Sequence, residues 1–180
     1  MATPLRASSS DSPWSIASPP TAQASPPTAQ GALTLTVFFE GTANTIRPVT
    51  TQIGSLFSAT DAHDLSEPDA SPAAALQAGH AVHFKMGFDG CGVTAGLMGV
   101  LFAYGLAPQV ERVAERAAEL CAGWPAGPLR LNVVGLSRGG IAACMLARRL
   151  CSLPCAERLH LCVCLFDPVC AARPDRLTSH

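Results

Sequence analysis

One stretch, residues 129 to 151, restricts the fold more than any other. The apolar run Leu131-Asn132-Val133-Val134 drops into Gly135-Leu136-Ser137-Arg138-Gly139 and then directly into a segment with helical spacing. A serine set between a strand and a helix sits in a sharp, strained turn, and the flanking residues must be glycine because neighbouring backbone crowds them. Such a turn lifts the Ser137 hydroxyl above the sheet edge, where a substrate carbonyl can reach it. This is the nucleophile-elbow pattern G-x-S-x-G.

The rest of the chain supplies a sheet for that turn. Leu33 to Phe39 reads as a strand rich in β-branched residues, Val49 to Ala59 as a helix through Val49, Ile53, Leu56 and Phe57, and residues 60 to 79 as a polar loop. His80 to Met86 reads as a second, more polar strand. Gly96 to Cys121 reads as a helix in two parts, broken near Gly105 and Pro108. In its second part Val110, Val113, Ala114, Ala117 and Leu120 share a face, with pairs Arg112 to Glu115 and Arg116 to Glu119 expected outside it. Leu159 to Phe166 is a nearly continuous apolar strand, the character expected of a strand buried on both sides. Alternating strands and helices imply right-handed crossovers, hence an α/β fold of three layers, α/β/α, around a mainly parallel sheet. Chemistry in such sheets gathers at the carboxyl ends of the strands.

Composition sets the limits. Residues 1–30 are rich in Ser, Pro, Ala and Thr and carry the heptad Ala17-Ser18-Pro19-Pro20-Thr21-Ala22-Gln23 twice in succession. With so few apolar anchors they are expected to be a disordered tail, leaving one domain over residues 31–180. Twelve basic and 13 acidic residues give a net charge of -1, which supplies no electrostatic attraction to nucleic acid or acidic lipid. No run approaches the roughly 20 apolar residues of a membrane span, so no transmembrane segment is expected. The eight cysteines form no C-x-x-C pair and no zinc-ligand spacing with histidine. We read them as structural thiols buried in strands and helices, which with the absence of a secretory signal suggests a reducing, cytoplasmic location, and no metal or cofactor is expected.

The four strand ends are Glu40-Gly41-Thr42, Asp89-Gly90-Cys91-Gly92, Gly135-Leu136-Ser137 and Asp167-Pro168. Catalysis by Ser137 needs a base for its proton, an acid to orient the base, and two N–H donors for the oxyanion. The backbone N–H of Arg138 is the first expected donor, and the Gly41-Thr42 loop offers the second. Asp167 is the candidate acid. Of His63, His80, His83, His160 and His180, only His180 follows Asp167, so it is the candidate base, on a tail with no strand or helix to hold it. The other four read as surface or packing histidines. Asp89 reads as a structural carboxylate capping the Gly-rich loop, Asn44 as a turn former, and the Arg138 side chain either as a binder of an anionic substrate group or as a cap for nearby carbonyls.

Phe38-Phe39-Glu40-Gly41-Thr42-Ala43-Asn44 resembles the F-[FD]-D-G-T-x-N opening of an α/β-hydrolase family whose best-known members are type VI secretion phospholipase effectors. Gly90-Cys91-Gly92-Val93-Thr94 is similar to that family's G-x-G-T loop, Gly135 to Gly139 to its G-F-S-R-G elbow, and Phe166-Asp167-Pro168-Val169 to its D-T-V segment. The resemblance implies a serine esterase or lipase, with Ser137 as nucleophile, Asp167 as acid, and a small-molecule ester or lipid as substrate. The family's histidine lies well downstream of the acid, so the resemblance also implies an incomplete hydrolase fold whose base falls beyond this chain. Glu40 replaces the usual aspartate, Leu136 the usual aromatic residue, and the family's helical lipid-binding insertions are missing. Two further readings stand beside this one. A catalytically dead hydrolase-fold interaction module predicts a stable fold without activity. A dinucleotide-binding domain would use Gly90 to Gly96 as its phosphate loop, but Arg112 occupies the neighbourhood where the ribose-binding acidic residue is expected.

Overall fold

Leu33, Leu35, Val37 and Phe39 alternate with Thr34, Thr36 and Phe38 along the first strand, and this alternation assigns each side chain to one of two layers. A computed structural model describes residues 32–77, 82–93, 105–125 and 127–169. The strands are β1 (Leu33–Phe39), β2 (His63–Asp64), β3 (His83–Phe88), β4 (Leu129–Leu136) and β5 (Leu159–Phe166). The helices are α1 (Gln52–Ala59), α2 (Pro72–Gln77), α3 (Leu106–Gly123) and α4 (Arg138–Leu150), with a 3-10 turn at Ala156–Arg158. The strands form one sheet in the order β2-β3-β1-β4-β5, every neighbouring pair parallel. Helices cover both faces, so the fold is the expected three-layer α/β type.

The two layers differ in depth. On one face the odd residues of β1 join Phe84, Met86, Leu131 and Val133 beneath α2, α3 and α4 in the main core. The inward face of α3, Val110, Val113, Ala114, Ala117 and Leu120, is fully buried there, as its spacing requires. On the other face Phe38, Ile46, Ile53 and Phe57 make a small cluster under α1, with Val134 and Leu136 packed against it. Helix α1 starts at Gln52, where Thr51 Oγ1 accepts from Gly54 N–H at 3.0 Å, and Val49 lies before it. Its carboxyl end is held by Lys85, whose Nζ donates to Phe57 O at 3.0 Å and Thr60 O at 2.7 Å, a cation placed where the helix dipole is negative.

Several expectations change. The loop over residues 60 to 79 contains β2 and α2, because Leu65 and Ala75 reach the core from otherwise polar surroundings. The strand expected from His80 is described from His83 and runs to Phe88. Arg112 does not pair with Glu115; its guanidinium donates to Ser66 O and lies 5.7 Å from the Phe88 ring centre, while the Arg116–Glu119 pair forms at 2.7 Å. β5 is not buried on both sides, since among the described residues it pairs with β4 alone and its residues after Leu159 are exposed. The cysteines divide. Cys91 and Cys121 are buried as expected, whereas Cys144, Cys151, Cys162 and Cys164 are exposed, because they occupy the outer side of α4, its end, and the edge strand. Burial, then a hydrogen bond and charge interaction with Cys155, push the Cys121 thiol up to about 12, which suppresses its thiolate. No helix among the described residues is long and apolar enough to cross a membrane. The N-terminal tail, the first half of the helix expected from Gly96, His80, Cys170 and His180 lie outside the described residues.

Candidate active site

Parallel strands bring all carboxyl ends to one side of the sheet, and the elbow sits there between β4 and α4. Ser137 has φ 53° and ψ -117°, a region that costs a non-glycine residue about 1–3 kcal/mol. Neighbouring peptide groups hold it. Its N–H donates to Phe166 O at 2.9 Å, and its carbonyl accepts from Gly140 N–H at 3.0 Å and Val169 N–H at 3.4 Å. A Cβ at Gly135 would lie 2.6 Å from Gly139 O, and one at Gly139 would lie 2.4 Å from Phe39 O. Both glycines are therefore demanded by sterics, which is the crowding the G-x-S-x-G pattern predicts.

The register carries Asp167 to the same place. Leu136 pairs with Phe166, so Ser137 and Asp167 leave adjacent strand ends, and Asp167 is likewise turned to positive φ, 43°. Arg138 is the first residue of α4, a position whose N–H has no intrahelical acceptor and lies at the positive end of the helix dipole. Its side chain reaches back to the β1 loop, where Nη1 donates to Thr42 Oγ1 at 2.9 Å. Neither of the two roles open for this side chain was that one. It ties the elbow to the loop expected to supply the second donor. Within that loop Gly41 N–H is already directed to Glu40 Oε2 at 3.2 Å, which leaves Thr42 N–H as the donor better placed to turn toward a ligand.

The loops after β1 and β3 are bound to each other. Ala43 N–H donates to Cys91 O at 3.0 Å, and Gly90 N–H to Asn44 O at 2.9 Å. Asn44 N–H closes a turn onto Gly41 O at 3.0 Å. Asp89 Oδ1 accepts from Ile46 N–H at 2.7 Å, so this carboxylate is structural, but it braces the β1 loop rather than the Gly-rich one. A Cβ on Gly90 would fall 1.7 Å from Gly41 O. Glycine is needed there so that two loops can touch.

Glu40 is the residue whose importance the sequence understated. It is 1% exposed, and its carboxylate takes the Thr51 hydroxyl and Gly54 N–H (3.1 Å) at the amino end of α1, together with Gly41 N–H. One side chain thereby joins β1, the following loop and α1. An acidic residue directly after the apolar run Val37-Phe38-Phe39, with Thr51 and Gly54 in helix-starting positions downstream, is the signal that could have shown it.

The histidines fall elsewhere. His63 pairs in register with Phe84, His83 opens β3 and contacts Thr36 Oγ1 at 3.0 Å, and His160 pairs with Arg130 near the start of β4. All three therefore stand at the amino side of the sheet, about 20 Å of strand from Ser137 at roughly 3.3 Å per residue. None of the histidines in the described residues joins the site. A cavity of about 320 Å³ lined by Gln52, Ile53, Leu136 and Phe166 opens beside the elbow. A larger one of about 500 Å³ lies at the end of β3 against Phe88, Asp89, Gln109 and Arg112, and its lining includes none of Ser137, Thr42, Arg138 or Asp167. Among the described residues no group of three or more His, Cys, Asp and Glu side chains is gathered to hold a metal ion. Comparison of the chain with protein-family models, with curated proteins and with solved structures finds no match.

Proposed function

We propose that this chain is built as a serine hydrolase, in which Ser137 attacks a carboxylic ester and forms an acyl-enzyme. The observation that carries the reading is the backbone of Ser137, held at φ 53° and ψ -117° between a parallel strand and the amino end of a helix. Strain of this kind persists only where the surroundings impose it, and it points a hydroxyl away from the sheet. The Thr42 loop follows β1 on one side of β4, Asp167 follows β5 on the other, and Arg138 N–H stands at the amino end of α4, an arrangement that supports an oxyanion pocket and an acid in those roles. The apolar hollow at Leu136 and Phe166 suits a small acyl group. A base remains to be supplied, and His180 is the histidine that follows the acid in this sequence.

A fluorophosphonate probe tests the reading. The full chain should label at a single serine, Ser137→Ala should abolish labelling, and His180→Gln should slow it at least tenfold if that imidazole is the base. Labelling that persists in Ser137→Ala removes the proposal. The second reading, a hydrolase-fold interaction module without activity, is favoured by the position of His63, His83 and His160 on the opposite side of the sheet. It predicts a folded chain that no probe labels. The dinucleotide reading is opposed by Gly90, whose N–H and missing side chain both serve contact with the β1 loop.

A further inference from the structure

The two edges of the sheet are unlike. β2, at one end, is two residues long, the length at which an edge offers little to a passing strand. β5, at the other, is eight residues long and carries no lysine, proline or acidic residue. Among the described residues it pairs with β4 alone.

Residues along a strand direct their peptide groups to alternate edges. Because Ser137 N–H donates to Phe166 O, Phe166 faces β4, and Cys164 and Cys162 do so with it. Leu161, Val163 and Leu165 therefore turn their N–H and C=O groups to the open edge. These three residues are 40%, 38% and 37% exposed. A helix laid over them would cover the side chains and leave those peptide groups unbonded. Only another strand satisfies both.

The sequence of β5 suits a second copy of itself. Leu161-Cys162-Val163-Cys164-Leu165 reads the same in both directions. An antiparallel neighbour presents its residues in reverse, so for this segment a second copy presents the same residues again. With a two-fold axis through Val163, Val163 meets the partner's Val163, and Leu161 meets the partner's Leu165, all at hydrogen-bonded positions. Cys162 then meets the partner's Cys164 at a non-hydrogen-bonded position, where Cα atoms are about 4.5 Å apart and within the roughly 4.4–6.8 Å span of a disulfide. The strand holds no lysine, arginine or acidic residue to repel its own copy. The geometry points to β5 as a homodimer seam that joins two sheets into one by an isologous, antiparallel pairing centred on Val163.

Sedimentation of the full chain under reducing conditions should show the mass of two chains at high concentration and of one on dilution. Val163→Pro removes an outward N–H and leaves the β4 ladder whole, so it should keep the wild-type circular dichroism and sediment as one chain throughout. A mild oxidant should cross-link wild type into a reducible dimer. Cys162→Ser and Cys164→Ser should each lose the cross-link, and an equal mixture of the two should recover about half of it, because only the mixed dimer sets a Cys162 against a Cys164. A one-chain mass for wild type at every concentration, meaning that something other than a second copy fills the edge, overturns the proposal. So does a cross-link that survives Cys164→Ser, which would run through a pair other than Cys162 and Cys164.

Discussion

Ser137 combines a reactive group with an unfavourable backbone, and the two can be separated. Its φ of 53° is imposed by the bonds to Phe166, Gly140 and Val169 and by the close approach of Gly135 and Gly139. Replacing it by glycine removes the strain, worth about 1–3 kcal/mol, at the expense of about 0.5–1 kcal/mol of added chain entropy in the unfolded state. Ser137→Gly should therefore be more stable than wild type by about 1 kcal/mol in urea, while Ser137→Ala, which keeps its Cβ, should stay within about 0.5 kcal/mol. Equal stability of the two variants would mean that the turn is unstrained. The elbow was legible in the sequence because its signature is local, five residues containing both the hydroxyl and the glycines that make room for it, although the groups that hold it come from β1 and β5. Glu40 was not, since its partners at Thr51 and Gly54 become neighbours only when α1 folds back over β1.

Among the elements, legibility followed length and density of pattern. β1, β4, α4 and the inward face of α3 repeat their apolar positions often enough to show a period. α2 has six residues and β2 two, too few for any period to appear. β5 shows the opposite error. Its apolar run fits a central strand, but the place of a strand in the sheet depends on pairing, which composition does not record. Sheet direction likewise decides the histidines, because His63, His83 and His160 are removed from the site by lying at strand beginnings. The short β2 carries a testable load. Burial pushes the Asp64 carboxyl up, but hydrogen bonds from Ser66 and the Arg47 guanidinium outweigh it and hold the group below its ordinary 3.8. A depressed carboxyl contributes stability above its unfolded value and loses it as pH falls through the folded one. The urea midpoints of wild type and Asp64→Asn should accordingly differ most near neutral pH and converge below about pH 4. A gap that stays constant down to about pH 2 would assign the effect to packing instead.

At the scale of the whole molecule, the unequal layers make the site depend on the weaker one. The main core unites β1, β3 and β4 with α2, α3 and α4, whereas the opposite layer rests, among the described residues, on a cluster of four buried hydrophobic side chains. Phe57 is its centre, edge-on to Phe38 at 5.7 Å, with Lys85 and Arg47 over the ring at 4.7 and 4.9 Å from its centroid. Elements with few buried contacts open below the global unfolding free energy, so the amides of α1 should exchange before those of β1 and β4. Phe57→Ala should lower that opening free energy by about 3 kcal/mol and speed α1 exchange roughly a hundredfold, with β4 little changed. The effect should reach the serine. When α1 leaves, the Glu40 carboxylate loses Thr51 and Gly54, and the Gly41-Thr42 loop loses its brace beside Arg138. Hydrogen exchange read by mass spectrometry, run beside fluorophosphonate labelling of the same variant, decides the matter. Faster exchange confined to α1 with slower labelling at Ser137 makes this thin layer the support of the site, and faster exchange throughout β1 and β4 would make the two layers a single cooperative unit.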